Sequence, residues 1–197
     1  MKVECSIAKK VLQNHGVISF PTETVCGLGV FFDDYEAYQN LNNIKGKREE
    51  KPYSLMLGGV EDIEKYAIVT DEARKLINKY LPGPLTLLLK AKDNVPNHVT
   101  HNTGVIGIRV PDFPLINELI KELGKPLLVP SANRSNMPPM TDMEDVKKEF
   151  KDEVGYYFDG HSNKDKPSTI VSLVLDAKII REGLIPSKDI FDTLKGE

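Results

Sequence analysis

An arginine inside an otherwise apolar segment is the first residue of this sequence that could do chemistry. Arg109 lies within GVIGIRVP (104–111), a run that reads as a β-strand. A guanidinium buried in such a strand needs an anion, because an unpaired buried charge costs several kcal/mol. The anion is either a carboxylate of this chain or the carboxylate of a bound ligand, and the residues alone leave both open.

A cluster of cations is the second chemical feature. The segment NIKGKREEKP (43–52) contains Lys45, Lys47, Arg48 and Lys51. Clustered cations on a loop suit a phosphate group, since they neutralise its charge while it reacts. The alternative is a solvated surface loop, because the two glutamates of the same segment cancel part of the positive charge.

The segment Ser19–Gly29 (SFPTETVCGLG) carries hydroxyl side chains after a strand. Thr22 and Thr24 stand between a proline and two glycines. Such a turn lets hydroxyls and backbone N–H groups converge on a small polar ligand. An ordinary connection between a strand and a turn has the same composition, so both interpretations remain.

The segment Val129–Pro139 (VPSANRSNMPP) also follows a strand, and it contains Ser131 and Asn133. Open α/β sheets bind ligands at the carboxyl ends of their strands, although Ser and Asn are common in plain turns too. Two smaller features are Ser168, which opens a strand in PSTIV, and Arg181, which follows a short apolar run.

Several familiar catalytic patterns are absent from the sequence. It contains no Walker A pattern, no GxGxxG and no GxSxG. Cys26 is expected to be a small packed residue and not a nucleophile. His98 and His101 are expected to be surface residues, and no metal site is predicted.

The composition indicates one cytoplasmic domain spanning residues 1–197. Hydrophobic residues make up 40% and charged residues 28%, and the net charge of −3 argues against a general nucleic-acid coat protein. The charged N-terminus is unlike a signal peptide, and the apolar runs are too short to span a membrane. The two cysteines form no CxxC pair, which fits a reducing compartment.

Hydrophobic periodicity predicts alternating strands and helices. Several strands are apolar on both faces, which indicates a sheet covered by helices on both sides. We therefore expect an α/β fold of the α+β type, with a single three-layer domain and a mixed, twisted sheet. The predicted strands are Val17–Phe20, Tyr53–Leu57, Leu85–Lys90, Val105–Val110, Leu127–Pro130 and Thr169–Leu175, with a further antiparallel strand near Ile179. The predicted helices are Ser6–His15, Asp34–Ile44, Asp71–Leu81, Leu115–Leu123, Asp142–Phe150 (capped by Thr141) and Lys188–Leu194 (capped by Ser187).

Six motifs, in order, resemble the YrdC-like family of threonylcarbamoyl-AMP synthases over about residues 7–190. They are PTETVCGLG, KGKREEKP, LPGPLTLLL, IGIRVPD, PSANRSNMP and PSTIV. The sequence departs from the family at three positions. Cys26 stands where tyrosine is usual, and Lys47 stands where arginine is usual. Asn136 replaces a frequent glycine, and asparagine tolerates a left-handed turn. The length resembles that of the short, stand-alone members, which lack the extra C-terminal domain.

This resemblance implies formation of threonylcarbamoyl-AMP and pyrophosphate from ATP, L-threonine and bicarbonate, for threonylcarbamoyladenosine modification of tRNA. It implies a threonine pocket made by Thr22, Thr24, Arg109, Ser131 and Ser168. It implies an ATP site made by Lys45, Arg48, Lys51, Asn133, Thr141 and Arg181, with the first three also catalytic. Mg²⁺ is expected to enter with ATP, and downstream tRNA-modification proteins and tRNA or double-stranded RNA are expected partners.

Two other functions compete with this one. A non-catalytic RNA-binding module would use a basic surface, but the net charge and the lack of interleaved aromatic and basic residues disfavour it. A carbamoyl-transfer domain, of the type found inside hydrogenase-maturation proteins, would take carbamoyl phosphate as its substrate.

Overall fold

The computed structural model describes residues 2–46, 52–164 and 166–196. Within these residues a single sheet contains nine strands, in the order β7–β1–β2–β6–β3–β5–β4–β8–β9. Neighbouring strands are parallel in the pairs β1–β7, β3–β5 and β4–β8, and antiparallel in the other five pairs. The strands are β1 (Ile18–Phe20), β2 (Gly27–Phe31), β3 (Ser54–Met56), β4 (Leu85–Lys90), β5 (Val105–Arg109), β6 (Leu127–Val129), β7 (Tyr156–Tyr157), β8 (Thr169–Ser172) and β9 (Lys178–Arg181).

Helices connect most of the strands. In the described part of the chain they are α1 (Lys2–Gln13), α2 (Tyr35–Lys45), α3 (Ile63–Tyr66), α4 (Asp71–Tyr80), α5 (Asn97–Thr100), α6 (Pro114–Leu123), α7 (Met143–Phe150) and α8 (Ser187–Lys195). Among these described helices, none has the length and apolar character needed to cross a membrane.

The sheet has a packed core on each face. Adjacent residues of one strand point to opposite sides, so Leu55 and Met56 belong to different clusters. Helices α1 and α6 cover the face of Met56, whereas α2, α4, α7 and α8 cover the face of Leu55. Each fully buried Leu or Phe side chain contributes roughly 1.5–3 kcal/mol. The prediction of a three-layer fold with a mixed sheet is confirmed.

The sequence patterns missed four short elements: β2, β7, α3 and α5. β2 was hidden by its glycines, which its packing requires. A Cβ on Gly27 would lie 2.7 Å from Cγ1 of Val129, because the side chain of Val129 already fills the space beside this glycine. The antiparallel strand predicted near Ile179 is confirmed as β9, which pairs with β8.

Two of the predicted helix caps were wrong. Asp142, not Thr141, caps α7, because its carboxylate accepts a hydrogen bond from the backbone N–H of Glu144 at 2.8 Å. Ser187 is the first residue of α8, and Pro186 is the cap. The Ser187 hydroxyl donates instead to the carboxylate of Glu182.

Candidate active site

A cleft of about 600 Å³ opens on the face of the sheet that carries α1 and α6. The register of the strands determines which residues form the floor of the cleft, since residues paired across neighbouring strands point to the same side of the sheet. Ser54 pairs with Gly107, two residues before Arg109, and Thr86 pairs with Ile170. Ser54, Thr86, Arg109 and Ile170 all line the cleft. The cleft therefore crosses four strands on one face of the sheet.

Arg109 lies at the end of β5 and reaches the turn between β1 and β2. Its side chain is buried, with the residue only 8% exposed. Its Nη2 donates to Oγ1 of Thr24 at 2.6 Å, to Oε1 of Glu23 at 2.8 Å and to Oγ1 of Thr22 at 3.4 Å. The sequence left open whether the anion was internal, and here Glu23 is that internal partner. Sequence reasoning did not select Glu23 as a site residue.

Lys45, the last residue of α2, is buried against the turn that follows β6. Its Nζ donates to the carbonyl oxygen of Ser131 at 2.7 Å, and to the carbonyl oxygen and Oδ1 of Asn133 at 2.6 and 3.0 Å. The Ser131 hydroxyl donates to the same Oδ1 at 2.6 Å. Asn136 has a positive φ of 66°, which confirms the predicted left-handed turn. Lys45 therefore fixes this turn as well as lining the cleft.

Ser168, Thr86 and Arg181 form another wall of the cleft. The Ser168 and Thr86 hydroxyl oxygens lie 2.9 Å apart, and both side chains are buried. The Arg181 guanidinium donates to the carbonyl oxygen of Ser168 through Nη2 at 2.9 Å and through Nε at 3.2 Å. Loss of surrounding water lowers the pKa of Arg181, and the positive charge of Arg109 lowers that pKa further. Two guanidiniums that repel each other across one cleft favour the binding of an anion.

Most of the predicted site residues meet at this cleft. Thr22, Lys45, Arg109, Ser131, Asn133, Ser168 and Arg181 all line it. Thr24 is fully buried and lies behind Arg109, outside the cleft lining. Thr141 also lies away from the lining, and its carbonyl accepts from the N–H of Ser162 at 2.7 Å. Arg48 and Lys51 lie outside the described residues, so their assignment to phosphate stays a prediction.

Ser54 and Thr86 are cleft residues that sequence reasoning missed. Thr86 is one hydroxyl within the apolar run LTLLL of β4. A polar residue inside an apolar strand could have identified Thr86 as a candidate site residue, as it did for Arg109. Its position on the cleft depends on the pairing of β4 with β8, which no local pattern specifies.

Cys26 is fully buried, and its Sγ lies 3.5 Å from Oγ of Ser162. Burial raises the pKa of its thiol, so little thiolate forms near neutral pH. This environment agrees with the expectation of a packed residue.

The surface expectation for the two histidines was wrong. His98 and His101 are half-buried in an aromatic cluster with Tyr35 and Tyr38. The Nε2 atom of His101 lies 2.9 Å from the hydroxyl of Tyr38. Among the residues that the structure describes, no group of three or more His, Cys, Asp or Glu side chains is arranged to hold a metal ion.

The structure is that of an α/β protein with a mixed sheet and a cleft lined by Lys45, Arg109 and Arg181. Comparison with known proteins identifies its family. The Sua5/YciO/YrdC family model, described as "Telomere recombination", matches residues 10–183. The chain belongs to this family.

Individual relatives agree with the family assignment. A protein of Methanocaldococcus jannaschii is 39% identical over 180 residues, which are 90% of this chain and 84% of the relative. The threonylcarbamoyl-AMP synthase of Vibrio parahaemolyticus is 35% identical over 87% of this chain and 95% of its own length. The crystal structure of P. abyssi Sua5 complexed with L-threonine superposes with a TM-score of 0.92 at 28% identity, and covers 100% of this chain and 58% of the longer protein.

Proposed function

We propose that the protein is an L-threonylcarbamoyladenylate synthase, a nucleotidyltransferase. It forms threonylcarbamoyl-AMP and pyrophosphate from ATP, L-threonine and bicarbonate. The observation that carries the proposal is the buried Arg109, which lines the cleft beside Ser168 and Arg181. Relatives named for this reaction share 35% identity or more over most of the chain, and a similar structure contains L-threonine.

The reaction has two bond-forming stages. The threonine amine attacks the carbon of bicarbonate or of CO₂, and a carbamate forms with loss of water or a proton. A carbamate oxygen then attacks the α-phosphorus of ATP, and the bond to the pyrophosphate oxygen breaks. Neither stage needs a covalent enzyme intermediate, so positioning and charge neutralisation supply the catalysis.

The cleft suits the substrates of this reaction. Its volume of about 600 Å³ is within the range of about 300–1,000 Å³ for small-molecule sites. We assign threonine to Arg109, Ser168 and Thr22, and the nucleotide to Arg181, Asn133 and Lys45. Arg48 and Lys51 are assigned to the phosphates, because the segment that contains them joins Lys45 to Pro52 and both of these line the cleft.

Thr24 and Thr141 are assigned more indirect roles. Thr24 supports the threonine site through Arg109, since its hydroxyl lies 2.6 Å from the guanidinium. Direct contact of Thr24 with threonine, and of Thr141 with ATP, requires some movement from the positions seen here. Ser131 contributes to threonine binding from the turn that Lys45 holds.

Mg²⁺ enters with ATP as part of the substrate. Among the described residues that line the cleft there is no carboxylate, so phosphate oxygens and water hold the ion. The product passes to downstream tRNA-modification proteins in the cytoplasm. The whole chain, residues 1–197, acts as one domain, and contact with tRNA or double-stranded RNA is confined to a local surface because the net charge is −3.

The proposal is tested by following carbon from bicarbonate into the product. The protein is incubated with ATP, L-threonine and isotopically labelled bicarbonate, and adenylates are identified by mass spectrometry. We expect an adenylate that carries both threonine and the labelled carbon. Salt-dependent RNA binding without such a product would indicate the RNA-binding module, and a carbamoyl adenylate formed from carbamoyl phosphate would indicate the carbamoyl-transfer domain.

A further inference from the structure

We propose that Arg134 is a positioning residue for the nucleotide side of the cleft. It lies outside the described lining of the cleft, between Asn133 and Ser135, which belong to that lining. Its guanidinium and its carbonyl oxygen hold the turn after β6 against the end of α2, and this contact keeps Lys45 and Asn133 in place for ATP. The inference rests on the proposed function, which assigns ATP to this side of the cleft.

The guanidinium of Arg134 makes five hydrogen bonds, one for each of its N–H groups. Nε donates to Oε1 of Glu149 at 2.9 Å. Nη1 donates to the carbonyl oxygen of Ile44 at 2.5 Å and to Oε2 of Glu153 at 3.0 Å. Nη2 donates to the carbonyl oxygen of Glu149 at 3.3 Å and to the carboxylate of Glu153. Because the five donors lie in one rigid plane, these contacts fix the orientation of the guanidinium.

The same guanidinium joins the C-terminal ends of two helices. Ile44 is the next-to-last residue of α2, and Glu149 is the next-to-last residue of α7. Carbonyl oxygens in the last turn of a helix have no partner within the helix and lie at the negative end of its dipole. Arg134 donates to one such oxygen on each helix, and its guanidinium carbon lies 4.7 Å from the centroid of the Phe150 ring. The end of α2 is therefore fixed relative to α7.

The backbone around Arg134 completes the link to the cleft. The carbonyl oxygen of Arg134 accepts a hydrogen bond from Nδ2 of Asn133 at 2.8 Å. The N–H of Ser135 donates to the carbonyl oxygen of Lys45 at 2.8 Å. Nζ of Lys45 in turn donates to the carbonyl oxygen and to Oδ1 of Asn133. A residue outside the cleft therefore orients the two side chains that are assigned to the nucleotide.

The ion pairs of Arg134 are suited to positioning more than to stabilisation. The side chains of Arg134, Glu149 and Glu153 are 32%, 44% and 46% exposed, and ion pairs exposed to this degree add little to stability. Loss of the guanidinium should therefore leave the protein folded while the end of α2 becomes free to shift. A shift of about 1 Å at a binding group can cost about a hundredfold in activity.

The threonine side of the cleft is held by other contacts. Arg109 donates to the hydroxyl of Thr22, and the hydroxyl of Ser168 lies 2.9 Å from that of Thr86. These partners come from the turn between β1 and β2 and from β4, whereas the acceptors of the Arg134 guanidinium lie on α2, on α7 and just after α7. A change at Arg134 should therefore weaken ATP binding and spare threonine binding.

The test measures the binding of ATP and of L-threonine separately, by calorimetry. Arg134→Leu removes all five donors, and Arg134→Lys keeps the charge but cannot span both helix ends. Arg74→Leu is the control, because it removes an exposed arginine that pairs with Glu64. We expect Arg134→Leu to weaken ATP binding roughly 10- to 100-fold and to leave threonine binding unchanged. Arg134→Lys should fold like the wild type and still bind ATP more weakly, and Arg74→Leu should resemble the wild type.

A double-mutant cycle with Lys45→Met tests whether Arg134 acts through Lys45. Groups that act as a unit give non-additive effects. Arg134→Leu should therefore weaken ATP binding far less when Lys45→Met is already present than it does in the wild type. Fully additive losses would show that Arg134 does not act through Lys45, and would overturn the inference.

Two further outcomes would also overturn it. Equal weakening of ATP and threonine binding would show that Arg134 merely supports the fold, and unchanged ATP binding by a folded Arg134→Leu variant would show that it positions nothing. Arg134→Lys decides the same question if Arg134→Leu does not fold. A failure of the proposed function would look different, because ATP binding would then respond to Arg134 as expected while the wild type formed no labelled adenylate.

Discussion

At the scale of single residues, the proposed threonine site depends on the guanidinium of Arg109. Arg109→Ala removes the donor for the substrate carboxylate, so we expect the KM for threonine to rise about a hundredfold, the effect of losing a charged, bidentate contact. ATP binding should change little. The measurement is initial rate against each substrate in turn, together with direct binding of ATP.

A matched variant separates charge from geometry at this position. Arg109→Ala also leaves Glu23 buried without its partner, and breaking such a pair costs about 3–5 kcal/mol of stability. Arg109→Lys keeps the positive charge beside Glu23 but loses the planar fork of donors. It should fold like the wild type and still use threonine poorly. Equal loss of ATP and threonine binding would contradict the role assigned to Arg109.

Cys26 provides a second prediction at the residue scale. Burial raises the pKa of its thiol, and the cleft chemistry needs no thiolate. Cys26→Ser keeps the size and can keep a hydrogen bond to Ser162, so threonine-dependent activity should stay close to that of the wild type. Complete inactivation, with an unchanged thermal midpoint, would instead identify Cys26 as a reacting group.

Sequence patterns identified some site residues and missed others for a physical reason. Arg109 was recognisable because a charge inside an apolar strand is costly. Glu23 was not, because it lies in a polar turn where a glutamate is unremarkable. Its pairing with Arg109 joins residues separated by 86 positions, and only the folded sheet brings them together.

At the scale of elements, the C-terminus of α2 holds the turn after β6 through Lys45. Lys45→Met removes the donor to the carbonyl oxygen of Asn133, whereas the Ser131 carbonyl and Oδ1 of Asn133 keep the Asn133 N–H and the Ser131 hydroxyl as donors. Because an unsatisfied buried acceptor costs about 1–3 kcal/mol, we expect the free energy of unfolding to fall by about that amount. Urea denaturation measures this change, with the exposed Lys10→Met as the control.

The same variant tests the role of Lys45 in catalysis. Loss of the ammonium from the cleft should slow pyrophosphate release even at a temperature where the variant is fully folded. A normal rate of release under those conditions would count against Lys45 as a phosphate ligand. A normal unfolding midpoint would count against its role in holding the turn.

The contact between α2 and α5 makes stability depend on pH. Burial lowers the pKa of His98 from its ordinary value of 6.5, and Asp33, Asp34 and His101 modify this shift. His98 therefore binds a proton more readily in the unfolded chain than in the folded protein. Its contribution to stability is complete above pH 6.5 and is lost as the pH falls below that value. His98→Gln should flatten this acid-side loss, measured as thermal midpoints between pH 5 and pH 7.

His15 contributes to the pH dependence of stability in the opposite direction. Its Nδ1 lies 2.8 Å from the carboxylate of Asp34, the residue that caps α2. Pairing with Asp34 raises the pKa of His15, so its smaller, solvent-screened contribution is lost as the pH rises. The exposed His161→Gln serves as the control for removing a histidine. A pH profile of His98→Gln identical to that of the wild type would contradict the assigned role of His98.

Helices and long strands were largely predictable from periodicity. The main helices begin and end within a few residues of their predicted bounds, as with Asp71–Tyr80 against the predicted Asp71–Leu81. The short strands β2 and β7 were not predictable, because glycines and a two-residue length carry no alternating pattern. Tertiary pairing, not local propensity, makes them strands.

At the scale of the whole molecule, the mixed sheet determines where the cleft lies. The rule for parallel sheets placed ligands at the carboxyl ends of strands, and the turn at Ser131 does follow the end of β6. Ser54, however, is the first residue of β3, Thr86 is the second residue of β4, and Ser168 directly precedes β8. The cleft is thus built across strands that run in both directions. The strand order that produces this arrangement is a long-range property that no local pattern encodes.

The central claim is that threonine, bicarbonate and ATP react together in this cleft. The most direct measurement is pyrophosphate release by the purified protein with all three substrates, and with each of them omitted in turn. We expect release that requires both threonine and bicarbonate and is lost when either is left out. Release of pyrophosphate at the same rate without threonine, or no release with all three substrates present, would show that the three substrates do not react together in this cleft.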